Sequence, residues 1–173
     1  MKSDCQHSEF YRICEQGNLE KAKSILAKET TVAKRLETIN GARRWTEIDY
    51  RASGFTKEYE WFDRTPLLIA IKKGIVNVVR YLLEEGADPA LKACYADDRT
   101  TNAKKEAETC AATTEDRQLI KDMVDVCLKH YPMKNDQSCR YNTERKFAMP
   151  EKMDEMLIEL QGLDKTIKLK QEE

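Results

Sequence analysis

The run Asp63–Leu91, DRTPLLIAIKKGIVNVVRYLLEEGADPAL, limits the folds open to this chain more than any other feature. Thr65 followed by Pro66 is a helix start. The hydroxyl can accept from free amides, and proline has the fixed φ and missing N–H that suit the first helical position. Leu67, Leu68, Ala70 and Ile71 make a short apolar face, and Gly74 ends it. A second helix from about Asn77 carries Val78, Val79, Leu82 and Leu83 on one side at helical spacing. Gly86 closes that helix as a residue free to take positive φ, and Asp88 and Pro89 turn the chain. Two such short antiparallel helices have too little core to fold alone, so the unit needs neighbours of the same build.

Two weaker copies of the layout occur. Upstream, FYRICEQGNLEKAKSILAKE places Ile13, Cys14 and Gly17 before Leu19, Ala22, Ile25 and Leu26. Downstream, Met123, Val124, Cys127 and Leu128 repeat the pattern of Val78, Val79, Leu82 and Leu83. These residues resemble the ankyrin repeat. Thr65-Pro66-Leu67-Leu68-Ile69-Ala70 stands for its helix start and Gly74 for the glycine between helices. Val78-Val79-Arg80-Tyr81-Leu82-Leu83 stands for the second helix and Gly86-Ala87-Asp88 for the closing turn. The resemblance covers roughly residues 8–131 and is strongest over 63–91. Leu68 replaces the family's usual histidine, which implies a hairpin held by packing. Ile75 stands where a polar residue is common, which makes it a candidate interface residue. The repeat period is about 33 residues, whereas Gly17 and Gly74 lie 57 apart. An insertion therefore separates the first two copies. The second and third are offset by 45, with the extra residues expected near Cys110 to Arg117.

Within the first insertion, Val32 to Ile39 suits a further helical turn or two. Arg44–Tyr50 and Phe55–Phe62 suit two strands around a turn with Gly54. Both tryptophans lie here, with Tyr50 and Tyr59, so the segment is expected to form an aromatic β-hairpin. After Pro150, Met153, Met156, Leu160, Leu163 and Ile167 are spaced 3, 4, 3 and 4, as in a coiled-coil seam. The expected fold class is mainly α: a short ankyrin-repeat solenoid of about three helix-turn-helix repeats, a β-hairpin insertion and a C-terminal helix. Its expected organisation is an ankyrin-repeat domain over 1–131 with the hairpin at about 41–63, a linker over 132–149, and an amphipathic helix over 150–173.

The composition narrows function. A net charge of −1 argues against a general nucleic-acid binder. No apolar run approaches the roughly 18 residues that span a bilayer, and the N-terminus lacks a signal-type apolar core. A cytoplasmic location, or a nuclear one, is the default. Of the six cysteines, no pair is spaced CxxC, and the chain is not a short secreted one, so all six are expected to be reduced and to pack as small hydrophobes.

The sequence has no phosphate loop, no GxSxG and no HExxH. Cys5 and His7 stand near the N-terminus, where a frayed end is the plain reading. Cys127 and His130 share a helical face with Cys139 further on, but zinc takes four ligands and a fourth is not apparent. No enzyme activity, metal or cofactor is expected. The expected function is a non-catalytic adaptor or scaffold that binds a protein partner through the ankyrin concave face and the aromatic hairpin. The alternative is an accessory subunit of a larger assembly, docked through its C-terminal helix. The candidate partner-binding residues are Trp45, Tyr50, Tyr59, Trp61, Lys72, Lys73 and Ile75, and on the tail Met156, Leu160, Leu163 and Ile167.

Overall fold

A computed structural model describes residues 7–50, 54, 56–94, 100–131 and 149–172. For 44–49, 57–60 and 164–172 it describes the backbone course alone. The described residues are mainly helical, with a small antiparallel sheet. Helix α1 is Glu9–Gln16 and α2 is Leu19–Lys28. Helix α3 is Val32–Asn40, followed by strands β1, Arg44–Tyr50, and β2, Thr56–Phe62. Helices α4, Pro66–Lys73, and α5, Val76–Glu84, come next. Strands β3, Ala93–Cys94, and β4, Thr100–Thr101, precede α6, Ala103–Glu108, and α7, Thr114–Lys129. The last helix, α8, is Met153–Glu172.

The helix boundaries follow from local chemistry. The side chains of Ser8, Asn18, Thr31, Thr65, Asn102 and Thr113 each accept an amide of the first turn that no carbonyl can satisfy. At the other end, α1, α4 and α5 stop in the same way. The amides of Gly17, Gly74 and Gly86 donate three residues back, to Cys14, Ile71 and Leu83. The following amides of Asn18, Ile75 and Ala87 donate five back, to Ile13, Ala70 and Leu82. This pair of bonds needs a residue in the left-handed region, and the three glycines sit at φ 75°, 70° and 103°. The glycines at the ends of α1 and α4 are thus equivalent in conformation as well as in sequence.

Helices pair as α1 with α2, α4 with α5 and α6 with α7. Helix α4 packs on both α1 and α6, and α5 packs on both α2 and α7. The loops between paired helices meet along one edge. A Cβ on Gly17 would lie 3.3 Å from Cδ1 of Ile75, and one on Gly74 would lie 2.6 Å from the carbonyl oxygen of Ala111. The Ala111 amide also donates to the Lys72 carbonyl at 3.1 Å. Val78, Val79, Leu82 and Leu83 are fully buried, as are Met123, Val124 and Cys127 of α7 and Cys14 and Ala22 of the first pair. Leu68 is also buried, so the position expected to be held by packing is filled by an apolar side chain in the core.

Strands β1 and β2 form the expected hairpin, in register from Arg44 opposite Phe62 to Tyr50 opposite Thr56. The sheet then continues, in a way the sequence did not announce. Phe62 pairs with Cys94, and Ala93 and Cys94 pair with Thr101 and Thr100, giving the order β1-β2-β3-β4. Helix α3 covers the end of α5. Leu36 and Ile39 are buried, Asn40 accepts from the Asp88 amide at 2.9 Å, and Arg35 pairs with Glu85. The sequence placed extra residues near Cys110 to Arg117, and α7 is indeed longer than α5. Part of the surplus lies earlier, however, between the α4 cap Thr65 and the α6 cap Asn102.

Helix α8 departs from what its seam suggested. A docking tail would leave the seam open for another protein, but here the chain covers it. Met156 and Leu160 are buried and join the same core as Ile120, Met123 and Cys127. Met153 and Leu163 pack against that core from its margin. The Glu151 amide donates to the His130 carbonyl, and Glu159 Oε1 lies 2.9 Å from His130 Nε2. The physical reason is that α7 is the last helix of the paired series. Its outer face would otherwise be an apolar surface in water, and α8 removes both it and its own stripe from solvent. The expected linker, apart from Met149, lies outside the described residues.

Candidate functional site

Two regions carry the residues singled out by the sequence. The first is the β1–β2 hairpin. Tyr50 ends β1 opposite Thr56 and is 77 % exposed. Trp61 is half-buried near the base, next to Phe62, which is buried. Trp45 lies opposite Trp61, and Tyr59 opposite Glu47, in the strand register. The side chains of Trp45 and Tyr59 lie outside the described part. The second region is the end of α4. Lys72 and Lys73 are exposed there, and they also suit the carbonyl end of a helix through its dipole.

Ile75 does not belong to an open surface. It is half-buried and packs beside Gly17 between the first two helix pairs. Its apolar character therefore serves the stacking of loops. Of the tail residues, Met156 and Leu160 are spent inside the chain and Leu163 is half-buried against the core. The side chain of Ile167 lies outside the described part. Among the described side chains of the tail, Ile158 is exposed, at 68 %.

The base of the hairpin is tied to the helices by polar groups that the sequence reading passed over. Arg43 Nη2 donates to Asp63 Oδ2 at 2.7 Å, and His7 Nε2 lies 3.4 Å from the same oxygen. The His7 ring stacks on Tyr11, with centroids 3.9 Å apart. His7 is therefore held in place and is not part of a frayed end. Burial pushes its imidazole below the usual range against the pull of Asp63, and Arg43 adds to the lowering. On the other side, Arg64 Nε donates to Glu106 Oε1 at 2.7 Å, and Thr101 donates to the same oxygen at 3.0 Å. Glu106 is buried, so this bond joins the second helix pair to the third.

Reactive chemistry finds little footing. Cys14 and Cys127 are buried and free, and burial pushes both thiols up to about 12. Glu159 and Glu84 add to the rise at Cys127. A thiol so protected supplies almost no thiolate near neutral pH. Cys110 is also buried and free. The expectation that all six cysteines are reduced fails at Cys94, which is disulfide-bonded. Its partner lies outside the described residues, since the other three described cysteines are free. Among the described residues no group of three or more His, Cys, Asp or Glu is placed to hold a metal ion. No described helix is long and apolar enough to cross a membrane.

The segment from the last residue of β2, through α4 and α5, to the first of β3 is the unit that comparison with known families picks out. Its span, 62–93, matches the family model described as Ankyrin repeat. Over 62–93 the chain is similar to an ankyrin repeat. No curated protein and no solved structure matches the chain. The match explains why this repeat carries the strongest sequence pattern. Thr65 Oγ1 accepts from the Leu68 amide at 3.2 Å as the helix cap, and every residue of Pro66–Ile71 is buried. Ankyrin repeats generally mediate protein–protein contact; the hairpin lies beside the matched segment and Lys72 and Lys73 lie within it.

Proposed function

We propose that the chain is a non-catalytic interaction module built as a short ankyrin solenoid. In this reading α1–α2, α4–α5 and α6–α7 are three repeats, and α8 caps the stack. The repeat domain runs over 1–131, with the hairpin at about 41–63 as an enlarged finger, and 150–173 forms the cap. The partner is a protein. It meets the concave side at Lys72 and Lys73 and the aromatic finger at Trp45, Tyr50, Tyr59 and Trp61.

The observation that carries the reading is the shared ending of α1 and α4. Each closes through the same two hydrogen bonds around a left-handed glycine, and each glycine abuts the next loop. Repeats stacked in this way make a rigid platform, so little conformational entropy is lost when it binds. Tyr50 supports the choice of face, because a large aromatic side chain left in water is the kind of group that anchors an interface. The alternative of a subunit docked through its tail is less well supported, since Met156 and Leu160 are buried within the chain.

Affinity capture with the full chain, followed by mass spectrometry, tests the proposal. A Tyr50→Ala, Lys72→Glu, Lys73→Glu variant should keep the wild-type circular dichroism and lose the captured protein. Retention of that protein by the folded variant would reject the assigned face.

A further inference from the structure

The polar cluster where α1 meets the base of the hairpin is unevenly satisfied. Asp63 Oδ2 accepts from Arg43 Nη2 at 2.7 Å, while His7 Nε2 stands 3.4 Å from the same oxygen. Asp63 Oδ1 accepts from the Arg64 amide at 2.8 Å. Arg43 is therefore the firmer partner of the carboxylate, and His7 is the looser one. The His7 ring lies flat on Tyr11, with 5° between the two planes, and covers a tyrosine that is buried. The second ring nitrogen of His7, Nδ1, is buried and has no hydrogen-bond partner among the described residues.

We infer that this cluster is an acid-opened joint: a proton taken up at His7 Nδ1 lifts the ring from Tyr11 and Asp63 and bares the tyrosine beside the base of the hairpin. Nε2 is the nitrogen that faces the carboxylate, so it holds the proton of the neutral ring. The next proton has to go to Nδ1. There it makes a charged donor that faces no acceptor, which costs more than a neutral nitrogen left unpaired.

The surrounding charges do not rescue the imidazolium. Burial acts most strongly and lowers the imidazole from its ordinary 6.5. Asp63 of the hairpin base pulls it up, Arg43 beside it pushes it down, and Glu15 and Arg12 of α1 repeat that opposition. The sign is fixed by the lowering. The folded seat binds the proton more weakly than the unfolded chain does, so it is intact above pH 6.5 and is lost as the pH falls through the lower folded value. The ring has a way out, because the side chain is 24 % exposed and can turn to water, where the new charge is hydrated. Helix α1 stays in place, since Phe10, Ile13 and Cys14 hold it in the core. The change is therefore local to the joint.

Proton NMR of the full chain, titrated from about pH 8 to about pH 5, tests the inference. His7 and His130 are the two histidines of the chain. The resonance missing from a His7→Gln variant is that of His7, and an Overhauser contact to the Tyr11 ring assigns it independently. Its midpoint should lie below 6.5. Across that midpoint the upfield ring-current shift of the stacked imidazole should collapse, and the Tyr11 signals should move with it. Urea denaturation gives a second reading. Between the same two pH values the parent should lose stability relative to His7→Gln, because glutamine takes up no proton. A His7 midpoint at or above 6.5 would overturn the inference. So would a ring that titrates while keeping its upfield shift, as a merely structural stack would, or a parent and variant whose urea midpoints fall together. The joint does not depend on the interaction-module reading, and its failure would leave that reading standing.

Discussion

Gly74 has no room for a side chain, and Gly162 has nothing but room. At Gly74 the backbone is at φ 70° and a Cβ would lie 2.6 Å from the Ala111 oxygen and 2.7 Å from the Ala112 Cβ. Alanine there meets both a left-handed backbone and a close-packed neighbour, so Gly74→Ala should destabilise the chain by at least about 2 kcal/mol. At Gly162, inside α8, a Cβ meets nothing within 4 Å. Gly162→Ala should stabilise the helix by about 0.5–1 kcal/mol. Urea denaturation of the two variants reads both signs. The cysteines divide in a similar way. In the native, unreduced chain, Cys14, Cys110 and Cys127 should alkylate only after unfolding, and Cys94 only after reduction. Mass spectrometry of the alkylated chain checks each. Because the folded thiols of Cys14 and Cys127 titrate near 12 against an ordinary 9.0, the folded state binds the proton more firmly. Stability from this source is complete below pH 9 and is lost as pH rises from there toward 12. Cys127→Ala should flatten that decline relative to the parent's.

At the scale of elements, α8 makes the sharpest demand. Its seam is buried against the chain, so a Met156→Asp, Leu160→Asp variant should place two carboxylates in an apolar core. The cost should exceed about 3 kcal/mol, and the thermal midpoint of the whole chain should fall. A variant that melts with the parent would mean that α8 is not held there. The seam itself was legible, because a 3-4 spacing of apolar residues shows that a helix has something to bury. It does not show against what, and the outer face of the last helix pair answers that only once α7 is in place. The hairpin was legible as two strands around a glycine turn, since alternation is a local signal, but its register came only with the structure. Strands β3 and β4 were not. Two-residue strands have no periodicity, and Cys94 is in the sheet only because Phe62 and Thr100 lie on either side of it. The polar ties escaped for the same reason. Nothing in the sequence around Glu106 tells that Arg64, 42 residues away, will meet it in the interior.

For the whole molecule, the pattern of Asp63–Leu91 called for neighbours because a helix pair with so little core cannot stand alone, and α4 and α5 each pack on helices before and after them. Leu82→Ala removes a fully buried side chain of the central pair and should cost roughly 2–5 kcal/mol. Since each pair is stable only through its neighbours, circular dichroism of the helices and fluorescence of the hairpin tryptophans should move together to a lower midpoint. Separate transitions would mean that the pairs fold independently. The proposed function is tested most directly by chemical crosslinking of the full chain to its captured protein, with the linked lysines identified by mass spectrometry. The solenoid reading predicts links from Lys72 and Lys73 at the end of α4 and from Lys57 on β2. Links confined to Lys165, Lys168 and Lys170 of α8 would contradict it and return the chain to a subunit docked by its tail.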